Sequence, residues 1–358
     1  MDKKIAVIPG DGIGPEVMTQ ALRVLDRIQE KYNHNFTYTE ALIGGAAYDK
    51  FQNHFPEETR KIAAESDAIL FGSVGGPVSE VHLDKWKDCE RNALLGIRKA
   101  FEFNCNYRPS KVYSELSHIC PLKDEVIGDG IDVLVVRELL GGIYFGEHSR
   151  CVEDGIRKAK DVSEYDENQI KSIAHAAFQA AGKRRKKLAS VDKANVLDTS
   201  RLWREVVREV AKEYPEIEYQ DILVDNCAMQ IIKNPSSFDV LLCPNLFGDI
   251  ISDEASVLPG TLGIAPSASL NKDGFGLYEP SGGSAPDIAG KNIANPVSQI
   301  LSAAMLLKYS FDLKEESEAI EKAVEKAFKQ GYRTSDIALE SEEKLGTVEF
   351  TDKILENL

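Results

Sequence analysis

The sequence contains no run of about 20 uninterrupted apolar residues, the length that a membrane-spanning helix requires. Its first four residues lead directly into the strand-like segment 5–8, without the apolar core of a signal peptide. Hydrophobic residues make up 43% of the chain and charged residues 28%, proportions that are ordinary for a folded protein. We therefore expect a soluble protein of the cytoplasm.

Cysteine is scarce and dispersed. Only six cysteines occur in 358 residues, and no two of them form a Cys-x-x-Cys pair. This spacing predicts reduced structural thiols, which agrees with a cytoplasmic location.

The sequence also lacks an excess of positive charge. Its 43 lysines and arginines are outnumbered by 58 aspartates and glutamates, which gives a formal net charge of −15. Because phosphate binding relies on clustered Lys and Arg, this balance argues against a nucleic-acid partner. The single basic run, 183–187, ends an alanine-rich helical stretch. We interpret it as a solvated helix end whose cations complement the helix dipole.

Short β-branched runs alternate with longer amphipathic stretches, a pattern typical of α/β architecture. Chains of this length usually divide into two domains, and without an internal repeat or linker the domains should be interwoven. Strands are predicted at 5–8, 68–71, 133–136, 188–191, 222–224 and 240–243. Helices are predicted at 15–31, 57–65, 167–183, 201–214, 295–309 and 316–330.

Two glycine-rich segments indicate binding loops. Glycine and proline crowd into 259–290, the longest stretch without clear periodicity, and long loops in compact enzymes usually bind a ligand. Gly10–Gly14 follows a strand and precedes a helix, but the Rossmann fingerprint needs its third glycine one position later than Gly14. The acidic residue that should end a second strand about 20 residues later is also missing. We interpret it as a turn that could at most approach a phosphate.

Three aspartates are candidate metal ligands. Asp249 and Asp253 are four residues apart, so a helix would place both carboxylates on one face. Asp225 follows an apolar run and should end a strand. Mg²⁺ typically binds one or two carboxylates together with substrate oxygens, although an exposed acidic face would show the same spacing.

Three arginines are candidate anion ligands. Arg108 precedes a proline, Arg137 follows the apolar run 133–136, and Arg98 follows two leucines and a glycine-isoleucine pair. A guanidinium group binds a carboxylate with two hydrogen bonds, so converging arginines would suit a dianionic substrate. Taken singly, each arginine could equally form a surface ion pair.

Several motifs in one order give the chain a wider resemblance. It resembles the β-decarboxylating dehydrogenase family, which contains isocitrate, homoisocitrate, tartrate and isopropylmalate dehydrogenases, nearly from end to end. The motifs that carry the resemblance lie at 5–16, 137–146, 191–197, 245–253 and 283–290. Within the family, the sequences at 141–146 and 285–290 are similar to the isopropylmalate branch.

The resemblance implies an open α/β fold, distinct from the Rossmann fold, in two domains with the active cleft between them. The first domain would comprise 1–103 and 261–358, and the second 104–260. It also implies a homodimer that shares its active sites, with Lys193 and Asp225 reaching the site of the neighbouring subunit.

By the same resemblance, each candidate residue has an expected role. Arg98, Arg108 and Arg137 would bind the substrate carboxylates. Asp225, Asp249 and Asp253 would hold Mg²⁺ or Mn²⁺, and Asp225 would also lie against the substrate. Lys193 would serve as or assist the base that takes the hydroxyl proton, and Tyr144 would protonate the enolate carbon.

The cofactor expected from the resemblance is NAD. Asp287 lies where a carboxylate would accept hydrogen bonds from both ribose hydroxyls and would repel the 2′-phosphate of NADP. The adenine-side loop would include Gly283, Ser284, Ala285, Pro286, Asp287 and Asn295. The segment from Gly76 to Glu90 would lie near the nicotinamide.

Leu94 and Leu95 should decide the substrate. Relatives that act on isocitrate have polar groups just before the matching arginine, whereas two leucines form an apolar wall that suits an isopropyl group. We therefore expect oxidative decarboxylation of 3-isopropylmalate, a step of leucine biosynthesis. Because apolar pockets separate methylenes by only about 1–3 kcal/mol, other 3-alkylmalates stay open.

The sequence departs from the isopropylmalate pattern at a few positions. Leu140 replaces the usual threonine, residues 78–81 lack the lysine and tryptophan seen in relatives, and Gly282 stands where some members have histidine. Two alternatives follow: a sister dehydrogenase for another alkylmalate, and a non-catalytic regulatory subunit on the same fold. The joint presence of Tyr144, Lys193 and the three aspartates argues against the second.

Overall fold

The computed structural model describes all 358 residues, which form two compact units. The first unit comprises Met1–Phe101, Tyr113–Cys120 and Pro259–Leu358, and the second comprises Glu102–Val112 and Pro121–Leu258. Residues 113–120 lie in the first unit, although the sequence predicts them in the second domain. The reason is local packing: Tyr113 stacks edge-on against Phe328, and Arg333 donates to the Glu115 carbonyl at 2.9 Å.

The first unit contains five strands: β1 (Asp2–Gly10), β2 (Asn35–Glu40), β3 (Ala68–Ser73), β11 (Pro266–Leu270) and β12 (Gly276–Pro280). They are neighbours in a sheet in the order β2-β1-β3-β12-β11. Only the last pair, β12 and β11, is antiparallel. This order differs from the 3-2-1-4-5-6 arrangement of the Rossmann fold, as the sequence predicts.

Seven helices surround this sheet. They are α1 (Gly14–Tyr32), α2 (Gly44–Phe51), α3 (Glu57–Ala64), α4 (Gly96–Ala100), α10 (Val297–Tyr309), α11 (Lys314–Lys329) and α12 (Thr347–Asn357). Helix α10 is buried along most of its length, because it packs against β11 and β12 on one side and against α1 and α11 on the other. It therefore forms the centre of this unit's core.

The second unit contains the strands β4 (Cys105–Lys111), β5 (Asp132–Glu138), β8 (Lys187–Asp192), β9 (Glu218–Leu223) and β10 (Val240–Cys243). They are neighbours in a sheet in the order β4-β5-β10-β8-β9. All neighbours are parallel except β4 and β5. The helices are α5 (Asp124–Ile127), α6 (Glu167–Gly182), α7 (Asp198–Ala211), α8 (Val224–Lys233) and α9 (Asn245–Ser256).

A separate antiparallel hairpin belongs to the second unit. Its strands are β6 (His148–Glu153) and β7 (Ile156–Asp161), joined by a two-residue Asp-Gly turn. Every residue of both strands is exposed, including the apolar side chains of Val152 and Ile156. An isolated two-stranded hairpin is at best marginally stable in water, so this one needs a further contact to stay formed.

Most predicted elements are confirmed, and the errors have clear causes. The segment 259–290 is wrong as a single loop, because it contains the hairpin of β11 and β12, whose serines, prolines and glycines hide the period of two. The predicted helix at 201–214 begins earlier, at Asp198, because the polar residues at its start lack apolar periodicity. No helix combines the length and the apolar character needed to cross a membrane.

The basic run 183–187 is only partly a solvated helix end. Arg184 donates from Nε to the Asp239 carboxylate at 2.8 Å and from Nη2 to Asp132 at 2.9 Å. The Asp239 side chain is fully buried immediately before β10 and also accepts a hydrogen bond from the Lys187 backbone N–H. The run therefore neutralises a buried carboxylate and joins α6 to two strands.

We expect the substitution Arg184→Met to lower the free energy of unfolding by about 2 kcal/mol. It leaves the buried Asp239 carboxylate without its main cation; the loss stays below the 3–5 kcal/mol of a fully buried pair because Arg184 is 22% exposed. Denaturant unfolding measures the change, with Lys183→Met at the neighbouring exposed position as the control. Equal stabilities of the two variants would contradict this account.

Candidate active site

The carboxyl ends of the parallel strands bring most predicted residues of the second unit to one edge. In the sheet register Arg137 on β5 pairs with Cys243 on β10, and Asp192 on β8 pairs with Leu223 on β9. Along the chain, Tyr144 follows β5, α9 follows β10, Lys193 follows β8 and α8 follows β9. Side chains that are far apart in sequence therefore meet there.

The prediction that Asp249 and Asp253 share a helix face is confirmed, since both lie on α9. Each carboxylate accepts a hydrogen bond from a predicted substrate arginine. Arg137 donates from Nη1 to Asp249, and Arg108 donates from Nη1 to Asp253 at 2.6 Å. The guanidinium groups thus offset the repulsion between two carboxylates one helical turn apart.

Tyr144 ends a short 3₁₀ turn and is part of the same group. Its hydroxyl donates to Asp249 Oδ2 at 2.8 Å, and the Arg137 guanidinium lies over its ring at 5.8 Å from the centroid. The pKa of Tyr144 is raised to about 12, mainly because the side chain is partly buried and secondly because its hydroxyl is bonded to Asp249. The hydroxyl therefore carries its proton at neutral pH, as a proton donor must.

Lys193 and Asp225 form a second group in this unit. The Lys193 ammonium donates to Asp225 Oδ1 at 2.6 Å, and this bond lowers the pKa of the Asp225 carboxyl. Asp225 does not end a strand as predicted: β9 ends at Leu223, and Asp225 lies in the first turn of α8. Lys193 is oriented by its backbone N–H, which donates to Ser200 Oγ at 3.0 Å.

The three predicted metal ligands do not form one cluster within a single chain. No group of three His, Cys, Asp or Glu side chains is arranged to hold a metal ion. The pair Asp249 and Asp253 nevertheless supplies two hard oxygen ligands on one helix face, with Asp253 exposed. This donor set fits Mg²⁺ or Mn²⁺ with substrate oxygens and water completing the shell.

In the first unit, the predicted substrate residues lie around α4. Leu94 and Leu95 are half-buried in a π-turn that runs into this helix, a feature often found at functional sites. Arg98 is buried and donates from Nη2 to the buried Glu279 at 3.2 Å, while its Nε has no hydrogen-bond partner. Sequence reasoning missed Glu279, which lies 181 positions away.

The predicted adenine-side loop leaves β12 and is fastened to α1 and the turn before it. The Ile13 backbone N–H donates to the Ser284 carbonyl at 2.8 Å, and Glu16 accepts from the Gly290 N–H at 2.9 Å. Ala285 adopts a φ of +38°, a strained value for a residue with a side chain. Strain of this kind is typical of ligand-binding loops, and Asp287 two residues later is exposed.

A cavity of about 320 Å³ lies beside this loop, within the size range of small-ligand sites. The exposed area of its wall is largely apolar, and Asn295 is among its polar side chains. Asn295 is held by Asp336, which accepts from its Nδ2 at 3.1 Å and from Thr261 and Thr334. The lining includes Ile13, Leu262, Gly283, Ala285, Ile288, Asn295 and Asp336.

The predicted nicotinamide-side segment begins at a loop that Asp11 organises. The Asp11 carboxylate accepts backbone N–H bonds from Gly45 and Ala46 at 2.9 Å and from Gly75 at 3.1 Å. Asp11 thus fixes the chain next to Gly76, whereas the sequence indicated only a phosphate-friendly turn. Glu90, the last residue of the segment, is exposed.

Comparison with known proteins identifies the family. Residues 4–354 match the isocitrate/isopropylmalate dehydrogenases. The chain belongs to this family. It is 51% identical over 360 residues to a 3-isopropylmalate dehydrogenase from Clostridium pasteurianum, covering 99% of both chains, and 55% identical over 338 residues to one from Haemophilus influenzae, covering 94% of both.

A solved structure places the fold in the same family. An isocitrate dehydrogenase from Methylococcus capsulatus superimposes with a TM-score of 0.87 at 33% identity, over 99% of each chain. The chain is therefore an enzyme, a dehydrogenase of the β-decarboxylating type, and its open α/β fold is confirmed.

Glu138 gives a pH-dependent stability that can be measured. Burial raises the pKa of its carboxyl from 4.5 to about 7, despite the backbone N–H groups that bind it. Because the pKa of Glu138 is higher in the folded than in the unfolded chain, protonation of this carboxyl stabilises the folded state. This stabilisation is complete below about pH 4.5 and is lost as the pH rises through about 7.

We expect Glu138→Gln, whose amide does not titrate, to flatten this dependence. Between pH 5 and 8 the free energy of unfolding should fall in the wild type by roughly 1–3 kcal/mol more than in the variant. This range follows from the shift of the pKa, since one pKa unit corresponds to about 1.4 kcal/mol. Urea unfolding at several pH values measures both curves, with the exposed Glu205→Gln as the control. Parallel curves for the wild type and Glu138→Gln would show that Glu138 does not titrate in this range.

Proposed function

We propose that the enzyme oxidises (2R,3S)-3-isopropylmalate to 4-methyl-2-oxopentanoate and CO₂ with NAD⁺, a step of leucine biosynthesis. The relatives with more than half of their residues identical carry the name of this activity, whereas the isocitrate dehydrogenase is only 33% identical. The half-buried Leu94 and Leu95 support the same substrate, because a third carboxylate against them would be poorly solvated.

The observation that carries the proposal is the group of Arg108, Arg137, Tyr144, Asp249 and Asp253 in the second unit. It combines two guanidinium groups for carboxylates, a protonated hydroxyl and two hard oxygen ligands. Retention of all these groups, together with Lys193 and Asp225, is unexpected for a regulatory subunit that performs no chemistry.

In the proposed reaction Arg98, Arg108 and Arg137 bind the two carboxylates of the substrate. Lys193 would serve as or assist the base that accepts the C2 hydroxyl proton, and bound NAD⁺ would supply the acceptor for the hydride of C2. The C2 carbonyl then accepts the electron pair released when the β-carboxylate departs as CO₂, and Tyr144 donates a proton to the enolate carbon. The proton is the one that the Tyr144 hydroxyl directs to Asp249 Oδ2 at 2.8 Å.

Mg²⁺ or Mn²⁺ would be held by Asp249 and Asp253, with Asp225 contributed by a second copy of the chain. A bound divalent cation supplies a Lewis acid that polarises the substrate oxygens. NAD would bind at the cavity beside Gly283–Asp287 and Asn295, and the exposed Asp287 would accept bonds from the ribose hydroxyls. Gly76 to Glu90 would lie towards the nicotinamide.

A second candidate is a dehydrogenase for another 3-alkylmalate. It is favoured by Leu140, which replaces the usual threonine between Arg137 and Tyr144. The Leu140 side chain is half-buried, but its backbone N–H donates to Glu138 at 2.7 Å. This backbone bond does not depend on the type of side chain at position 140, so we expect Leu140 to affect the size of the accepted substituent rather than the turn.

We expect purified enzyme to form NADH from 3-isopropylmalate in the presence of Mg²⁺, and EDTA to abolish this activity. Isocitrate should react at least about 100-fold more slowly, because a carboxylate cannot be solvated against two leucines. Absorbance at 340 nm measures the rate, with 3-methylmalate and NADP⁺ as comparisons. Faster turnover of 3-methylmalate would make the alkylmalate alternative correct, and a preference for NADP⁺ would overturn the role of Asp287.

The exposed apolar surface of the second unit supports a homodimer. The hairpin of β6 and β7 exposes Val152 and Ile156, α8 and α9 expose Met229 and Ile250, and Val257 is exposed just after α9. Helices α8 and α9 contact each other, and exposed apolar residues of this kind mark an interaction surface that a second copy would cover. The six free thiols, five of them buried, suit a reducing compartment, and we place the enzyme in the cytoplasm.

The mass in solution tests the dimer. Light scattering at micromolar concentration should give twice the chain mass of 39.6 kDa. Ile250→Asp places a charge on the 57%-exposed apolar side chain of α9 and should shift the mass towards the monomer, whereas Val348→Asp on α12 should not. A monomeric wild type would exclude both the dimer and a metal site that needs Asp225 from a second copy.

A further inference from the structure

Tyr144 lies at the end of a turn that has little to hold it in place by itself. The 3₁₀ segment Gly142–Tyr144 is three residues long, and Tyr144 is 37% exposed. Gly142 adopts a φ of +75°. Glycine reaches positive and negative φ values about equally easily, so the backbone of Gly142 does not by itself hold the turn in this conformation. The position of the hydroxyl therefore depends on contacts from outside the turn.

Glu138 provides the first of these contacts. Its carboxylate, only 1% exposed at the end of β5, accepts the Leu140 N–H with one oxygen at 2.7 Å and the Gly141 N–H with the other at 2.9 Å. Both acceptor oxygens are thus used on the two residues that lead into the turn. A buried carboxyl is costly, and here each of its two oxygens binds a backbone N–H of the turn.

Tyr165 provides the second contact. Its ring lies so close to the two glycines that a β-carbon at Gly141 would be 2.6 Å from ring carbon Cε1, and one at Gly142 would be 2.5 Å from the hydroxyl oxygen. The hydroxyl accepts the Asn245 N–H at 2.8 Å, and the ring packs edge-on against the buried Trp203. The turn is therefore seated on a fixed aromatic surface.

Asn245 joins the turn to the substrate arginine. Its side-chain nitrogen donates to the Gly141 carbonyl at 3.0 Å, and its oxygen accepts from Arg137 at 2.9 Å from Nη2 and 3.2 Å from Nε. It is 1% exposed at the start of α9, the helix that carries Asp249. One side chain thus sets the distance between the guanidinium group and the turn.

We propose that Glu138, Tyr165 and Asn245 are positioning residues that hold the Tyr144 hydroxyl at the substrate for its proton transfer. None of the three needs to touch the substrate, since each acts through the backbone of 140–142 or through Arg137. This inference rests on the role proposed for Tyr144 and on the dehydrogenase reaction proposed above.

The variants Glu138→Gln and Tyr165→Phe test the proposal. A carboxyl group offers two acceptor oxygens, but an amide offers one, so Glu138→Gln sets an N–H₂ group against one backbone N–H of the turn. We expect kcat to fall about 10- to 100-fold in each variant, because a small displacement of a catalytic group is costly. The KM for 3-isopropylmalate should change less than about threefold, since Arg98 and Arg108 are untouched.

A transient measurement separates positioning from general damage. Hydride transfer precedes the step that Tyr144 serves, so slowing that step should produce a burst of NADH in rapid mixing. We expect a burst of NADH in Tyr144→Phe, and we expect a burst of the same kind in Glu138→Gln and Tyr165→Phe. Glu205→Gln, an exposed glutamate on α7, should behave as the wild type.

The outcomes are distinct. A wild type without turnover would remove the proposed reaction and this inference together. A wild type with turnover, but with variants that keep kcat within twofold or lose it in step with a rise in KM and without a burst, would overturn the inference alone. Tyr165→Phe keeps the aromatic surface and decides the question if Glu138→Gln does not fold.

Discussion

The site in the second unit depends on the parallel alignment of four strands. Because β5, β10, β8 and β9 run in one direction, their carboxyl ends lie along one edge of the sheet, and the next segment of chain begins there each time. Arg137, Asn245, Lys193 and Asp225 each come within a few residues of such an end. Segments that are about 20 to 110 residues apart are thus brought to one place by the backbone hydrogen bonds of the sheet.

The side chains at this edge are then arranged by ion pairs. Arg108 with Asp253, Arg137 with Asp249 and Lys193 with Asp225 give each predicted metal ligand a cationic partner. A second layer of buried polar groups fixes the first: Asp192 binds Arg204 with both oxygens at 2.7 Å and also accepts from the Ala194 N–H. Buried charges are tolerated there because each one is paired and hydrogen-bonded.

The sequence predicts the fold class and most regular elements, since long amphipathic helices and β-branched runs show their periods directly. It does not predict β11 and β12, in which serine, glycine and proline mask the alternation. It also identifies residues whose type carries chemistry, such as Arg137, Tyr144 and Asp249. Their roles stay predictions, but their presence at one edge is a finding.

The partners that hold those residues could not be predicted. Glu279 meets Arg98 across 181 positions, and Asn245 meets Arg137 across 108, so no local pattern relates them. Asp11 lies inside a motif that is typical of a ligand-binding turn, yet its carboxylate accepts hydrogen bonds from three backbone N–H groups of its own chain. A carboxylate on a loop can bind a ligand or replace one, and only the fold distinguishes the two.

The ion pairs at the strand edge also determine how the site looks to an approaching ion. A carboxylate already paired with a guanidinium group attracts a distant cation weakly, and the guanidinium group attracts a distant anion weakly. Separated opposite charges would guide ligands from afar, whereas adjacent ones cancel beyond a few ångströms. These adjacent opposite charges therefore attract ligands only weakly at long range, in a protein whose overall charge of −15 repels dicarboxylates. A carboxylate or a cation that binds these side chains has to replace one of their present ionic partners.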